Sequence, residues 1–193
     1  YENNVAGEAM ITNRGELTLA NGTVTYKYTG AGDSSYSKGN YTISNGGTLT
    51  LENATVENTT AKMSHASYAI DNNSSAQKAT LIINNGSKVL NETNFAIRQF
   101  SSLENNIILN DGLVKGTRAV WMQLPSNDAT KAPVTTLTVN GGTLEGTGES
   151  QDYKLAVYTY SYGNSMENTV INITDGTILG DIALTGGNNK EHA

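Results

Sequence analysis

Cysteine is absent from the 193 residues, so no disulfide staples the fold, and a thiol nucleophile or a Cys-rich zinc site is excluded. An oxidising extracellular setting is permitted but not required. Proline occurs only twice and charged residues make up 16%. Polarity comes instead from Asn, Thr, Ser and Gly, which favour turns and compete with a helical backbone, and no stretch carries sustained helical periodicity with caps. No apolar run approaches the roughly 20 residues of a membrane span. Lys and Arg number 12 against 18 Asp and Glu, a net charge of −6, the reverse of the basic face that nucleic acid requires. Neither nucleic acid nor membrane insertion is therefore expected. The length suits one domain. Tyr1 is not an initiator Met and no signal peptide precedes it, so the reading is of a mature segment or an excised fragment.

One short phrase recurs six times: an aliphatic residue, a spacer, Asn or Asp, usually Gly, a small or β-branched residue, then usually another aliphatic. It runs Leu19-Ala20-Asn21-Gly22-Thr23-Val24, and begins again at Leu51, Ile83, Leu109, Val139 and Ile173. Successive starts lie 51−19 = 32, 83−51 = 32, 109−83 = 26, 139−109 = 30 and 173−139 = 34 positions apart. A strand-turn-strand phrase at a loose period of about 30 is the mark of a solenoid.

Each unit parses into three short strands. The first ends on the aliphatic residue of the phrase, as in Leu17-Thr18-Leu19 and Leu137-Thr138-Val139, with apolar outer positions and a mostly polar centre, the pattern of a strand with one buried face. Asn, Asp and Gly then tolerate positive φ at a tight corner. The second strand is short, such as Thr55-Val56. The third centres on alanine: Tyr68-Ala69-Ile70, Phe95-Ala96-Ile97, Arg118-Ala119-Val120, Leu155-Ala156-Val157 and Ile182-Ala183-Leu184. The third strand of the first coil is not identifiable from the pattern: Tyr41-Thr42-Ile43 is a candidate, the alternative being that it leads into the next coil. The expected fold is all-β, a right-handed parallel β-helix of about six coils over residues 17–187. Residues 1–16 are read as a cap or incomplete coil and 188–193 as a tail.

Segments such as Gly46-Gly47-Thr48-Leu49-Thr50-Leu51 and Thr136-Leu137-Thr138-Val139-Asn140-Gly141-Gly142-Thr143-Leu144 resemble the pectin-lyase-like β-helix repeats of bacterial surface and secreted proteins. The resemblance spans about residue 15 to residue 187. It implies a parallel β-helix and a secreted or cell-surface location, in a group whose members serve as adhesins, autotransporter passengers, polysaccharide lyases and hydrolases, and phage tailspikes. Such repeats specify architecture better than activity. Solenoid ends need capping, so neighbouring coils or domains of a larger surface protein are expected partners.

The corner column Asn21, Asn53, Asn85, Asp111, Gly141 and Asp175 reads as a ladder capping turn backbone from coil to coil. A calcium site would need several converging carboxylates, and this column offers two separated ones. No metal or cofactor is expected. The third strand is richer. Two positions after the central alanine stand Asp71, Arg98, Trp121, Tyr158 and Thr185, and two further on Asn73, Phe100, Gln123, Tyr160 and Gly187. Alternation puts both rows outside. Asp71 is then placed to pair with Arg98, Arg98 to lie over Trp121, and Trp121 to neighbour Tyr158. Aromatic faces ringed by directed hydrogen bonds suit a sugar ring or a protein partner. Asp71, Arg98, Phe100, Trp121, Gln123, Tyr158 and Tyr160 are the candidate ligand-binding residues. The competing reading is that loops such as Met122 to Pro133 bury these aromatics as a second small core.

Catalysis needs a tighter constellation. No second carboxylate joins Asp71 in its row, His65 and His192 are isolated, and Glu149 and Asp152 sit in a loop. No catalytic residue is assigned. Thr18, Thr50 and Thr138 suggest an ice-binding array, but Ile82, Ile108 and Asn172 interrupt it. The function read from the sequence is an extracellular adhesion module binding a host or environmental glycan or a surface protein. The alternatives are a polysaccharide-degrading β-helix enzyme and a passive structural stalk.

Overall fold

A computed structural model describes residues 9–27, 40–60, 67–73, 76–100, 103–124, 134–149, 154–161 and 168–186. Within them the chain is an all-β parallel solenoid. Its strands fall into three parallel ladders around one core.

The first ladder holds β2 (Glu16–Ala20), β5 (Thr48–Glu52), β8 (Ala79–Asn84), β10 (Asn105–Leu109), β12 (Thr135–Val139) and β15 (Thr169–Ile173). The second holds β3 (Thr23–Tyr26), β6 (Thr55–Asn58), the first parts of β9 (Lys88–Phe100) and β11 (Leu113–Leu124), β13 (Thr143–Gly146) and β16 (Thr177–Leu179). The third holds β1 (Ile11–Asn13), β4 (Asn40–Asn45), β7 (Ser67–Asn72), the second parts of β9 and β11, β14 (Leu155–Ser161) and β17 (Asp181–Gly186). Tyr41-Thr42-Ile43 thus belongs to the third strand of the first coil, and β1 adds an incomplete coil before it.

The repeated phrase sets the register. Leu17 pairs with Leu49, Leu49 with Leu81, Leu81 with Ile107, Ile107 with Leu137, and Leu137 with Ile171. With a side-chain period of two, one aliphatic column per ladder points inward in every coil. Leu49, Leu51, Leu81, Ile83, Ile107, Leu109, Leu137 and Val139 are fully buried. Each contributes about 1.5–3 kcal/mol relative to an exposed side chain. In the flanking coils Leu17 and Leu19 are half-buried and Ile173 is exposed. The six expected coils are thus slightly revised, to a solenoid of about four turns with an unstacked ladder edge at each end.

At the corner after the first strand, Asn21, Asn53 and Asn85 take φ of 56°, 50° and 51°, the left-handed region that Asn and Gly enter at least cost. From Asp111 onward positive φ moves one residue later, to Gly112, Gly142 and Gly176. The expected side-chain ladder moves too. Asn53 Nδ2 donates to Asn21 Oδ1 at 3.1 Å as anticipated. Beyond it the ladder runs one residue earlier: Thr174 donates to Asn140, Asn140 to Asn110, Asn110 to Asn84, and Asn84 to Glu52.

A second amide ladder lies inside the wall, at the corner leaving the third strand. Asn13 Nδ2 donates to Asn45 Oδ1 at 2.8 Å, Asn45 to Asn72 at 2.7 Å, Asn72 to Gln99 at 3.0 Å, and Gln99 to Thr135 Oγ1 at 2.7 Å. The same amides cap carbonyls of the following first strands, among them Thr48, Thr80, Asn106 and Thr136. Buried amides demand such complete pairing, because an orphaned one costs about 1–3 kcal/mol.

Candidate functional site

The third ladder carries the candidate residues on its outer side. The backbone register pairs Asp71 with Arg98, Arg98 with Trp121, and Trp121 with Tyr158, and likewise Phe100 with Gln123 and Gln123 with Tyr160. The two rows therefore exist as rows through these coils. The last coil departs from the expected order: Tyr158 pairs with Ala183 and Tyr160 with Thr185. Relative to an alignment on the alanines, β17 is displaced by two positions: one is already present where Leu155 pairs with Asp181, and a bulge between Leu155 and Val157 adds the other.

Four further residues join the site: Tyr41, Tyr68, Phe95 and Arg118. Strict alternation from the inward Ile column would leave the residue before the alanine inside. Instead Ala96 and Ile97 are both buried in the core, so the strand bends there and Phe95 and Arg98 share the outer side. The readable signal was the bulky residue ahead of each alanine, in Tyr68-Ala69, Phe95-Ala96 and Arg118-Ala119.

Asp71 and Arg98 form the centre. Arg98 Nε donates to Asp71 Oδ1 at 2.7 Å and Nη2 to Oδ2 at 2.8 Å. This two-pronged geometry is the strong form of the carboxylate–guanidinium pair. Asp71 is 2% exposed, and both its oxygens are occupied by Arg98. Arg98 does not lie over Trp121. Its guanidinium sits 5.0 Å from the Tyr68 ring centre, 5.3 Å from that of Phe100 and 5.8 Å from that of Tyr41, all within cation–π range. Its charge also acts on the phenols of Tyr41 and Tyr68, partly offsetting the effect of their burial. A second cation, Arg118, lies 5.0 Å from the Phe95 ring centre and 5.2 Å from that of Tyr158.

The rings stack on one another, Tyr41 and Phe95 across adjacent coils and Tyr158 within its own strand. Tyr41 lies on Tyr68 with centroids 5.6 Å apart and planes 11° apart. Phe95 lies on Trp121 at 4.9 Å and 24°, and Tyr158 on Tyr160 at 6.4 Å and 27°. Ring faces are thus largely turned toward other rings or cations. Tyr68 and Phe95 are buried, whereas Tyr41, Phe100, Trp121, Tyr158 and Tyr160 are half-buried. Gln123 is 9% exposed. The Trp121 indole nitrogen is enclosed and has no acceptor among the described residues.

The electrostatics follow from this packing. Burial pushes the Tyr68 phenol up, and Arg98 opposes it only in part. Tyr41 is raised by burial and then by the Asp71 charge. Burial by itself would lower Arg98, but the charge and hydrogen bonds of Asp71 outweigh it and hold the guanidinium's pKa above its ordinary value.

The chain was compared with protein-family models, with curated proteins and with solved structures. It matches none of them. The solenoid expected from the repeats is present, and its site is read from this chain's own geometry.

Among the described residues no three His, Asp or Glu side chains gather as a metal ion would need. His65, His192 and Asp152 lie outside the described residues, as does most of the segment Met122 to Pro133. The carboxylate at the centre of the cluster, Asp71, is held by Arg98 at both oxygens. What the arrangement offers is a stiff, partly open aromatic surface with hydrogen-bonding groups set into it.

Proposed function

We propose that this chain is a non-catalytic binding module of a secreted or cell-surface protein, of the bacterial adhesin type, taking a glycan or a protein on the outer side of its third ladder. One observation carries the reading. Phe100, Trp121, Tyr158 and Tyr160 stay only partly buried, beside the buried Asp71–Arg98 pair. Aromatics left partly open to solvent add little to the core, and pre-ordered rings with Arg nearby are the usual anchors of recognition surfaces. A rigid β-sheet scaffold also limits the ordering entropy lost on binding.

A glycan array and a surface-protein panel, read together with the fluorescence of Trp121, the one tryptophan, test the reading. A ligand that shifts this signal, and is lost in Trp121→Ala with Tyr158→Ala, is expected. A ligand whose binding that double variant leaves intact places the site elsewhere.

The passive stalk remains the second reading, and one observation favours it. Tyr68, Phe95 and Asp71 are buried, as they would be if the cluster served as an accessory core. The stalk predicts no ligand and a loss of stability as the sole effect of Trp121→Ala.

A further inference from the structure

Four asparagines stand directly before a glycine: Asn21, Asn45, Asn85 and Asn140. Such a pair can modify itself. The glycine nitrogen attacks the asparagine Cγ, a five-membered succinimide closes, and the side-chain nitrogen leaves. Glycine favours the attack because no Cβ shields its nitrogen. The fold surrounds the four nitrogens differently.

Asn45 is fully buried. Its Nδ2 donates to Asn72 Oδ1 and to the carbonyls of Gly47 and Thr80, and Gly46 N donates to the Asn13 carbonyl at 2.8 Å. Gly141 is pressed onto the preceding coil, where a Cβ would lie 2.5 Å from the Asn110 carbonyl oxygen. Asn21 is exposed and its Oδ1 takes the Asn53 amide, but among the described residues no carboxylate bonds the Gly22 nitrogen. Asn85-Gly86 combines what the others lack. It is exposed, and nothing lies within 4 Å of the place a Gly86 Cβ would take. Carboxylates from the coils on either side meet its reacting atoms. Asp111 Oδ2 accepts the Gly86 N–H at 2.8 Å. Glu52 Oε2 accepts from Asn85 Nδ2, while its other oxygen takes Asn84. Glu52 thus fixes the amide, and Asp111 sits on the proton that the attack must shed, where a general base belongs.

We propose that Asn85-Gly86 is a self-modifying corner, with Asp111 as the base that drives conversion of Asn85 to aspartate and isoaspartate. The bond from Gly86 N to Asn85 Cγ forms as the amide proton passes to Asp111. The Cγ–Nδ2 bond then breaks, and that proton leaves with the nitrogen as ammonia. Water opens the succinimide at either carbonyl, with no oxidant or reductant involved. The product exchanges the donor to Glu52 for a negative charge facing Glu52, and the isoaspartyl form lengthens the corner backbone by one methylene.

The experiment ages the whole folded chain at mildly alkaline pH and follows each Asn-Gly peptide by mass spectrometry, with isoaspartate resolved chromatographically. Asn85 is expected to convert about 3–10-fold faster than Asn21 or Asn140, a modest effect for general-base catalysis because the base is weak and exposed. In concentrated urea the advantage over Asn21 should vanish. Asp111→Ser should slow Asn85 and leave Asn21 unchanged. A merely loosened corner would speed Asn85, so slowing marks the base. Asn21 converting as fast as Asn85 in the folded chain overturns the proposal. So does an Asn85 rate that Asp111→Ser leaves unchanged or raises, or an advantage that persists in urea.

Discussion

Arg98 and Asp71, 27 residues apart in sequence and on adjacent coils, close a two-pronged ion pair of 2.7 and 2.8 Å with the carboxylate 2% exposed. Removing one partner strands a charge among Tyr41, Tyr68 and Phe100. Asp71→Leu is expected to cost about 3 kcal/mol or more, whereas Asp71→Leu combined with Arg98→Met should cost less than that single change. Urea denaturation of the four species gives the coupling energy.

Alkaline pH should loosen the same cluster. The Tyr68 and Tyr41 phenols have raised pKa values in the folded chain. Unfolded tyrosines ionise first, near pH 10. Above that pH the unfolded state binds fewer protons than the folded one, so stability is full below about pH 10 and falls as pH rises further. Each such group contributes a slope of up to about 1.4 kcal/mol per pH unit. Raised Arg98 acts in the same direction at still higher pH. Tyr68→Phe should flatten the alkaline limb of a stability–pH curve measured by urea midpoints, and an unchanged limb would count against the burial of that phenol.

The corner glycines should differ sharply in their tolerance of alanine. Gly86 has φ of 69° with nothing near the position a Cβ would take. Gly86→Ala therefore meets only the left-handed penalty, about 1–2 kcal/mol. Gly112 has φ of 115°, and a Cβ there would collide with the Ser87 backbone of the preceding coil. Gly112→Ala should cost at least about 2 kcal/mol more than Gly86→Ala, read as a difference in denaturation midpoint at equal m-value.

The two amide ladders should differ sharply in how much they contribute to stability. Asn72→Leu strands the Gln99 and Asn106 carbonyl groups it bonds in the wall and is expected to cost about 3 kcal/mol. Asn110→Ala cuts the exposed ladder and should change stability by no more than about 0.5 kcal/mol. Thermal unfolding of the two variants side by side checks the contrast.

Much of this architecture is legible in the sequence because its cause repeats. The aliphatic column recurs in every coil and an Asn/Asp-Gly corner in most of them, since each coil solves the same packing problem and needs a tight bend at the same place. The Asp71, Arg98, Trp121, Tyr158 row follows from that register alone. The position of Arg98 over Tyr68 and not Trp121 does not, because it depends on a bend at Ala96 that alternation does not encode. The displacement that pairs Tyr158 with Ala183 arises only in part from the bulge after Leu155, which has no residue signature. The buried amide ladder had a readable sign in the triplets Ile11-Thr12-Asn13, Ile43-Ser44-Asn45, Ile70-Asp71-Asn72 and Ile97-Arg98-Gln99. Asn is so common in the turns of this chain that the sign is hidden among them.

The two ladders also run in opposite senses. In the wall each amide donates toward the C-terminal coil, from Asn13 to Thr135. On the surface each donates toward the N-terminal coil, from Thr174 to the carboxylate of Glu52. Their dipoles therefore oppose one another along the axis, and the surface chain delivers its positive end to an anion. A solenoid wired this way sets the side-chain dipoles of its two ladders against each other as coils are added.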